Sequence, residues 1–185
     1  MFITIAGDLG SGKTTVGKRL AKKLEYQFLS VGDFMGEIAQ EQNISLYELG
    51  KIAMNDNGKV DRLLDTKQIE FGKMQDNVVF DSRLGWHFIP DSIKIYLQVD
   101  IDVGAKRIYN DKREDEKENT TLKATKEYMI KRKASERERY KEYYNIDFDK
   151  PNNFDIVINT SLLSIEEVEN KLLEEISKHK RNRFS

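Results

Sequence analysis

A glycine-rich segment near the start of the chain has the residue types and spacing that bind phosphate. It reads Gly7-Asp8-Leu9-Gly10-Ser11-Gly12-Lys13-Thr14, a complete G-x-x-x-x-G-K-[S/T] pattern. Such glycines let consecutive backbone N–H groups surround phosphate oxygens, and a helix starting at Lys13 would add its positive end. In this pattern the lysine reaches the β- and γ-phosphates and the threonine hydroxyl ligates Mg²⁺. We interpret the segment as a nucleotide-phosphate site, and the alternative is a tight strand-to-helix turn without a ligand.

A carboxylate and a guanidinium follow a short apolar run in the middle of the chain. The run Asn77–Phe80 is followed by Asp81-Ser82-Arg83, and parallel sheets bind ligands at the carboxyl ends of their strands. Asp81 could therefore hold a Mg²⁺-bound water, and Arg83 could hold a substrate phosphate through its planar fork. The alternative is a surface ion pair at a strand-end turn. A GTPase is disfavoured, because the Asn-Lys-x-Asp motif and an Asp-x-x-Gly at the third strand are both missing.

The third cluster lies in a basic part of the chain, where residues 104–142 hold 13 basic and 9 acidic side chains. Within it, Arg132, Glu136 and Arg139 are spaced i, i+4, i+7, which places them on one helix face. Lys133 is expected to point away from that face. The alternative is a solvated helix with i,i+4 ion pairs, which contribute only a few tenths of a kcal/mol each.

Short apolar runs alternate with longer helix-compatible stretches. The runs are Phe2–Ala6, Asn77–Phe80, Ile93–Val99 and Asp155–Ile158, with a weaker one at Tyr26–Leu29. This alternation predicts a parallel α/β sheet, which would position the three clusters. The first helix is expected over about Lys13–Glu25. Capping-box patterns at Ser45–Glu48 and Ser164–Glu167 predict the starts of two later helices.

The composition excludes several classes of protein. The length of 185 residues fits one domain. The absence of cysteine excludes disulfides and thiolate metal sites, and 2 histidines argue against a multi-histidine metal site. The chain's 31 basic and 32 acidic side chains balance, which argues against a nucleic-acid binder. No apolar run approaches the roughly 20 residues that span a bilayer, and no basic leader opens the chain. We expect a cytoplasmic monomer that binds a small molecule and neither nucleic acid nor membrane.

Several segments together resemble the P-loop nucleoside monophosphate kinases, and in particular their cytidylate kinase branch. Gly32-Asp33 resembles the start of the family's acceptor-binding segment, and Asp81-Ser82-Arg83 matches its Asp/Glu-Gly-Arg turn with Ser in place of Gly. Ala105-Lys106-Arg107 matches the helix that leads to the family's lid, and Asp155–Ser161 resembles its last strand and turn. The resemblance covers nearly the whole chain.

The resemblance implies an α/β fold of the P-loop NTPase type. One domain over residues 1–185 is expected, with a five-stranded parallel sheet flanked by helices, a helical acceptor-binding insert near residues 32–75 and a lid near residues 107–132. ATP and Mg²⁺ are the cofactors implied. In the family, an Arg-x-x-x-Asp-x-x-Arg pattern on the helix after the lid contacts the acceptor nucleotide, and here Glu136 stands where Asp is usual.

The residues expected to act fall into four groups. The catalytic ones are Lys13, Arg132 and Arg139. The ATP-binding ones are Gly7, Gly10, Ser11, Gly12, Lys13, Thr14, Thr15 and Arg107. The acceptor-binding ones are Asp33, Asp81, Arg83, Arg132, Glu136 and Arg139. Mg²⁺ is expected at Thr14 and, through a water, at Asp81.

One position departs from the family pattern. The family commonly has an arginine shortly after the Gly-Asp of the acceptor segment, where it pairs with the acceptor phosphate, and this chain has Gly36. The resemblance implies ATP-dependent phosphorylation of a nucleoside monophosphate, with CMP or dCMP favoured. Two alternatives stay open: a nucleotide-binding sensor with little or no transfer, and a kinase of another small metabolite.

Overall fold

Five parallel strands form one sheet in the computed structural model, which describes residues 1–44, 48–49, 52–53, 56, 58–74, 77–111 and 121–183. The strands are β1 Phe2–Gly7, β2 Gln27–Ser30, β3 Val78–Asp81, β4 Ile93–Gln98 and β5 Ile156–Asn159. Each lies within one residue of the bounds predicted from the sequence. Their order across the sheet is β2-β3-β1-β4-β5, so β1 is central and hydrogen-bonds to β3 on one side and to β4 on the other.

Helices connect the strands and cover both faces of the sheet. They are α1 Lys13–Leu24, α2 Val31–Glu41, α3 Lys59–Met74, α4 Gly85–Phe88, α5 Ile101–Asp111, α6 Leu122–Tyr144 and α7 Ile165–Arg183, with a 3₁₀ turn at Pro151–Asn153. The capping box before α7 is confirmed, because the Ser164 hydroxyl accepts from the Glu167 amide and the Glu167 carboxylate accepts from the Ser164 amide. The other predicted box begins at residues 45–47, which lie outside the described residues.

The core has one layer on each side of the sheet. Because successive strand residues point to opposite faces, Phe2 and Ile3 on β1 enter different layers. One layer joins the sheet to α1 and α7 and includes Ile3, Ile5, Val16, Leu20, Leu172 and Ile176. The other joins it to α2 and α3 and includes Phe2, Phe34, Ile38, Leu64 and Phe80. Burial of both faces holds the strand ends in fixed register.

This arrangement places the predicted clusters at one edge of the sheet. The carboxyl ends of β1 and β3 are neighbours, and Ile5 on β1 is paired with Asp81 on β3. The glycine-rich loop leaves β1 at this edge, and α6 reaches it with side chains from its middle turns. Within the described part of the chain, no helix is both long enough and apolar enough to cross a membrane.

Candidate active site

The glycine-rich loop connects β1 to α1 as predicted. Gly10 has φ +75°, and a Cβ there would collide with the backbone of Gly104 on α5, so both the backbone angle and the space require glycine. Gly12 has φ +87° and caps α1 with nothing within 4 Å of a would-be Cβ. The Ser11 hydroxyl oxygen is buried and lacks a hydrogen-bond partner among the described residues. Open space at the helix start and an unpaired buried hydroxyl fit an oxyanion ligand.

The two residues after Gly12 place an ammonium and a hydroxyl at the loop. The Lys13 Nζ donates to the Asp8 carbonyl oxygen at 3.2 Å. The Thr14 hydroxyl donates to Asp81 Oδ2 at 2.6 Å, which joins the start of α1 to the end of β3. Asp81 is buried, with 9% of its surface exposed.

The Thr14–Asp81 pair fits Mg²⁺. A hydroxyl and a carboxylate are hard oxygen ligands of the kind that Mg²⁺ takes together with water and substrate phosphates. In the described ranges no three His, Cys, Asp or Glu side chains assemble a metal site. The pair offers two oxygen ligands, which fits an ion whose other ligands are water and substrate phosphates.

Lys13 sits in an environment that disfavours its charge. Burial of its ammonium, and next the nearby Arg83 guanidinium, lower the pKa of Lys13 to about 8, against partial opposition from Asp81 and Glu136. An anion placed beside such a lysine stabilises the charged form of the side chain.

A buried carboxylate holds two arginines beside the loop. Glu136 on α6 is 5% exposed, and its Oε1 pairs with Arg83 Nε at 2.9 Å and with Arg132 Nε at 3.1 Å. Arg83 also donates to the Gly7 carbonyl oxygen at 3.3 Å. The second oxygen of Glu136, Oε2, is buried without a hydrogen-bond partner among the described residues. Glu136 thus fixes both guanidiniums and does not lie on a solvated face.

Arg139 lies further along α6 and faces the predicted acceptor insert. Its Nη1 pairs with Asp61 Oδ2 on α3 at 3.2 Å and donates to the Ala53 carbonyl oxygen at 3.3 Å. Burial raises the pKa of Asp61, and Arg139 opposes that rise. The structure therefore brings Arg132 and Glu136 to the loop and directs Arg139 toward α3.

A row of polar side chains on α3 was not predicted as a site. Asp65 and Gln68 are both buried. The Tyr144 hydroxyl donates to Asp65 Oδ2, and the Ser82 hydroxyl donates to Gln68 Oε1 at 2.5 Å. Burial raises the pKa of Asp65 to about 6, although the Tyr144 hydrogen bond lowers it. Together with Asp61, these residues are spaced i, i+4, i+7, the same signal that singled out Arg132, Glu136 and Arg139.

Comparison with known proteins assigns the chain to a family. Residues 2–162 match the cytidylate kinase-like family. The chain belongs to this family. A cytidylate kinase of Sulfolobus acidocaldarius is 38% identical over 181 residues, 96% of this chain and 95% of that protein. A cytidylate kinase of Methanocaldococcus jannaschii is 38% identical over 175 residues, 92% of this chain and 94% of that protein.

The likeness to solved structures extends to the fold alone. A shikimate kinase from Bacteroides thetaiotaomicron superposes with a TM-score of 0.68 at 18% identity, covering 96% of this chain and 98% of that one. The family predicted from the sequence is confirmed, and with it the P-loop fold and the enzyme class, a nucleoside monophosphate kinase.

Three further residues expected to bind substrates lie outside the cluster around Glu136. Asp33 caps α2, because its carboxylate accepts from the Ser30 amide and its amide donates to the Ser30 hydroxyl. Arg107 donates to the carbonyl oxygens of Gly10 at 3.4 Å and Thr160 at 2.7 Å, so it braces the loop from α5. Thr15 is exposed on the first turn of α1. Their contacts with substrates stay predictions.

The departure at Gly36 is not imposed by the fold of this kinase. The residue lies on α2, its φ is outside the left-handed region, and nothing lies within 4 Å of a would-be Cβ. Neither backbone strain nor packing requires glycine there.

Among the described residues, Lys133 shares no partner with Arg132, Glu136 or Arg139, but its side chain is not free in solvent. Its Nζ reaches across to the phosphate-binding loop and lies 2.6 Å from Asp8 Oδ1. The angular position of Lys133 on the helix did not indicate this contact, because a lysine stem spans enough distance to reach a neighbouring element. The Asp8 carboxylate carried no periodic signal, so sequence reasoning missed it as a partner.

Proposed function

We propose that the protein transfers the γ-phosphoryl group of Mg-ATP to CMP or dCMP, forming ADP and the cytidine diphosphate. The observation that carries the proposal is the meeting of three charged groups at one sheet edge: the Lys13 ammonium, the Thr14–Asp81 pair, and the Arg83 and Arg132 guanidiniums around Glu136. The relatives named cytidylate kinase direct the choice of acceptor.

On the donor side, the glycine-rich loop is the proposed binding site for the phosphates of ATP. Phosphoryl transfer needs positioning and charge neutralisation more than covalent chemistry. Backbone N–H groups between Gly7 and Thr14 bind the phosphate oxygens, and the Lys13 ammonium neutralises charge on the γ-phosphoryl group as it moves. Thr14 and Asp81 would hold Mg²⁺, which neutralises phosphate charge when it is bound. Thr15 and Arg107 complete the ATP side of the proposed site.

On the acceptor side, the charged groups are two guanidiniums whose positions Glu136 fixes. An oxygen of the CMP phosphate bonds to the γ-phosphorus, the bond from that phosphorus to the β–γ bridging oxygen breaks, and ADP leaves with the electron pair. Arg83 and Arg132 bind the acceptor phosphate through N–H groups that Glu136 does not use. Arg139, with Asp33, belongs to the proposed acceptor side toward α2 and α3. We also propose that the protein acts as a monomer in the cytoplasm.

One assay separates this function from the alternatives. The protein is incubated with Mg-ATP and, in turn, CMP, dCMP, UMP, AMP, GMP or shikimate, and ADP formation is followed together with chromatography of the product. The expected result is the highest kcat/KM with CMP or dCMP and loss of turnover in Lys13→Met, because that variant lacks the charge at the γ-phosphoryl group.

The other outcomes are equally distinct. A sensor would bind Mg-ATP and form no diphosphate with any monophosphate. A kinase of another metabolite would form ADP with a different acceptor and not with CMP. Near-normal turnover in Lys13→Met would contradict the proposed use of the loop.

A further inference from the structure

The phosphate-binding loop contains a negative charge. Asp8 is the residue directly after Gly7, within the segment that must receive the phosphates of ATP. A carboxylate among bound phosphates repels them by several multiples of the thermal energy unless a cation or strong donors offset it. The loop can bind an anion well only if the charge of Asp8 is neutralised.

Three donors meet the Asp8 carboxylate. The Tyr96 hydroxyl donates to Oδ1 at 3.0 Å, the Val99 amide donates to Oδ2 at 3.2 Å, and Lys133 Nζ lies 2.6 Å from Oδ1. The first two belong to β4 and the residue that follows it, and both are neutral. Of these three, only Lys133 can cancel the charge.

The position of Lys133 is fixed by a second carboxylate. Its Nζ also pairs with Asp149 Oδ2 at 3.1 Å, and Asp149 is held independently by Arg137 at 2.6 Å. Loss of Lys133 would leave Asp149 with its Arg137 partner, whereas Asp8 would keep only neutral hydrogen-bond donors and a longer-range attraction to Arg137. Loss of Lys133 would therefore leave a poorly compensated negative charge in the phosphate-binding loop.

Lys133 belongs to the helix that also supplies Arg132 and Glu136. The ammonium reaches Asp8 only when α6 lies against the loop as it does here. The charge of the ATP site therefore depends on the position of the helix that carries groups of the proposed acceptor site.

We propose that Lys133 is a positioning residue for nucleotide binding, which neutralises the Asp8 carboxylate within the phosphate-binding loop and thereby links the position of α6 to the affinity for Mg-ATP. Lys133 acts through Asp8, and the proposal gives it no contact with the nucleotide. It rests on the proposed function only in that Mg-ATP binds at this loop.

A double-mutant cycle tests the proposal in the full chain. The variants are Lys133→Gln, Asp8→Asn and the double variant, and the measurement is the Kd of Mg-ATP by titration calorimetry at low ionic strength. Lys131→Gln is the matched control, because it removes the same charge from an exposed position on the same helix. Thermal unfolding and turnover with CMP are recorded on every preparation.

The expected pattern is a weakening of Mg-ATP binding by about tenfold in Lys133→Gln and by less than about twofold in Lys131→Gln. Asp8→Asn should bind about as well as the unmodified protein, and adding it to Lys133→Gln should restore most of the lost affinity. Lys133→Arg should keep the affinity, and raising the salt concentration should shrink the effect.

Three results would overturn the proposal. Equal affinities of Lys133→Gln and Lys131→Gln would show that Asp8 needs no cation. If Asp8→Asn does not restore binding in the double variant, Lys133 acts through packing and not through its charge. An unmodified protein that does not bind Mg-ATP would overturn this proposal and the proposed function together, whereas one that phosphorylates CMP while the cycle fails would overturn only this one.

Discussion

Binding of Mg-ATP should draw a proton onto Lys13. In the protein without nucleotide, burial and the adjacent Arg83 hold the pKa of Lys13 at about 8. Phosphates bound in the loop place negative charge beside that ammonium, and a neighbouring opposite charge raises the pKa of a lysine. The neutral fraction of Lys13 must therefore be protonated as the complex forms.

The size of the uptake follows from the pKa. At pH 8, half of the free protein has a neutral Lys13, so full protonation in the complex requires about 0.5 proton per protein. At pH 7 the neutral fraction is about one in eleven, and the uptake falls to about 0.1 proton. A terminal phosphate, with a second pKa near 6, is already ionised at pH 8 and adds little to the exchange.

Titration calorimetry measures this uptake directly. The observed enthalpy of Mg-ATP binding is plotted against the ionisation enthalpy of several buffers at one pH, and the slope is the number of protons taken up. Lys13→Arg is the control, because a guanidinium stays charged at either pH and should abolish the slope while keeping a cation in place. A slope of zero at pH 8 in the unmodified protein, with binding intact, would refute the reasoning.

Four other predictions concern single positions. Asp81→Asn should raise the Mg²⁺ concentration needed for half-maximal turnover and lower kcat at least about tenfold, and an unchanged Mg²⁺ titration would contradict it. Arg132→Ala should lower kcat/KM for CMP about 10²-fold, whereas Lys131→Ala, exposed on the same helix, should lower it little. Gly36→Arg should lower the KM for CMP several-fold with kcat nearly unchanged, because a Cβ there meets nothing within 4 Å and the contact would bind ground and transition states alike. The raised pKa of Asp65, about 6, means that folding favours its neutral form, so the free energy of unfolding should fall by at most about 3 kcal/mol as the pH rises from about 4 through about 6. Denaturant titrations of Asp65→Asn should lack that fall.

The sheet was predictable because its signals are local. Strands β1, β3 and β4 are short, largely apolar runs that are buried along most of their length, which leaves little ambiguity about where such a run lies. Even the weak run at Tyr26–Leu29 proved to be a strand, β2, displaced by one residue. The glycine-rich loop was predictable for the same reason, since the positive φ angles of Gly10 and Gly12 restrict those positions to glycine in the sequence itself.

The partners of the charged residues were not predictable in the same way. The spacing of Arg132 and Glu136 shows that they share a face, but Arg83 reaches Glu136 from the end of β3. Asp61 and Arg139 are likewise brought together from α3 and α6. Pairings of this kind depend on tertiary packing, which periodicity within a single helix does not encode.

Helix α6 shows why a buried charged residue is difficult to recognise in the sequence of a highly charged helix. The buried residues of this helix include Thr125, Met129, Glu136 and Tyr140, so a carboxylate is one of four side chains in a buried stripe that is otherwise uncharged. A buried carboxylate is costly unless it is paired, and Glu136 is paired with Arg83 and Arg132. Two guanidiniums on one carboxylate leave one positive charge in excess. Glu136 cannot release both arginines without leaving its own buried charge unpaired, so the excess positive charge stays beside the loop. There it would attract the phosphate of the proposed acceptor, although α2 carries no arginine.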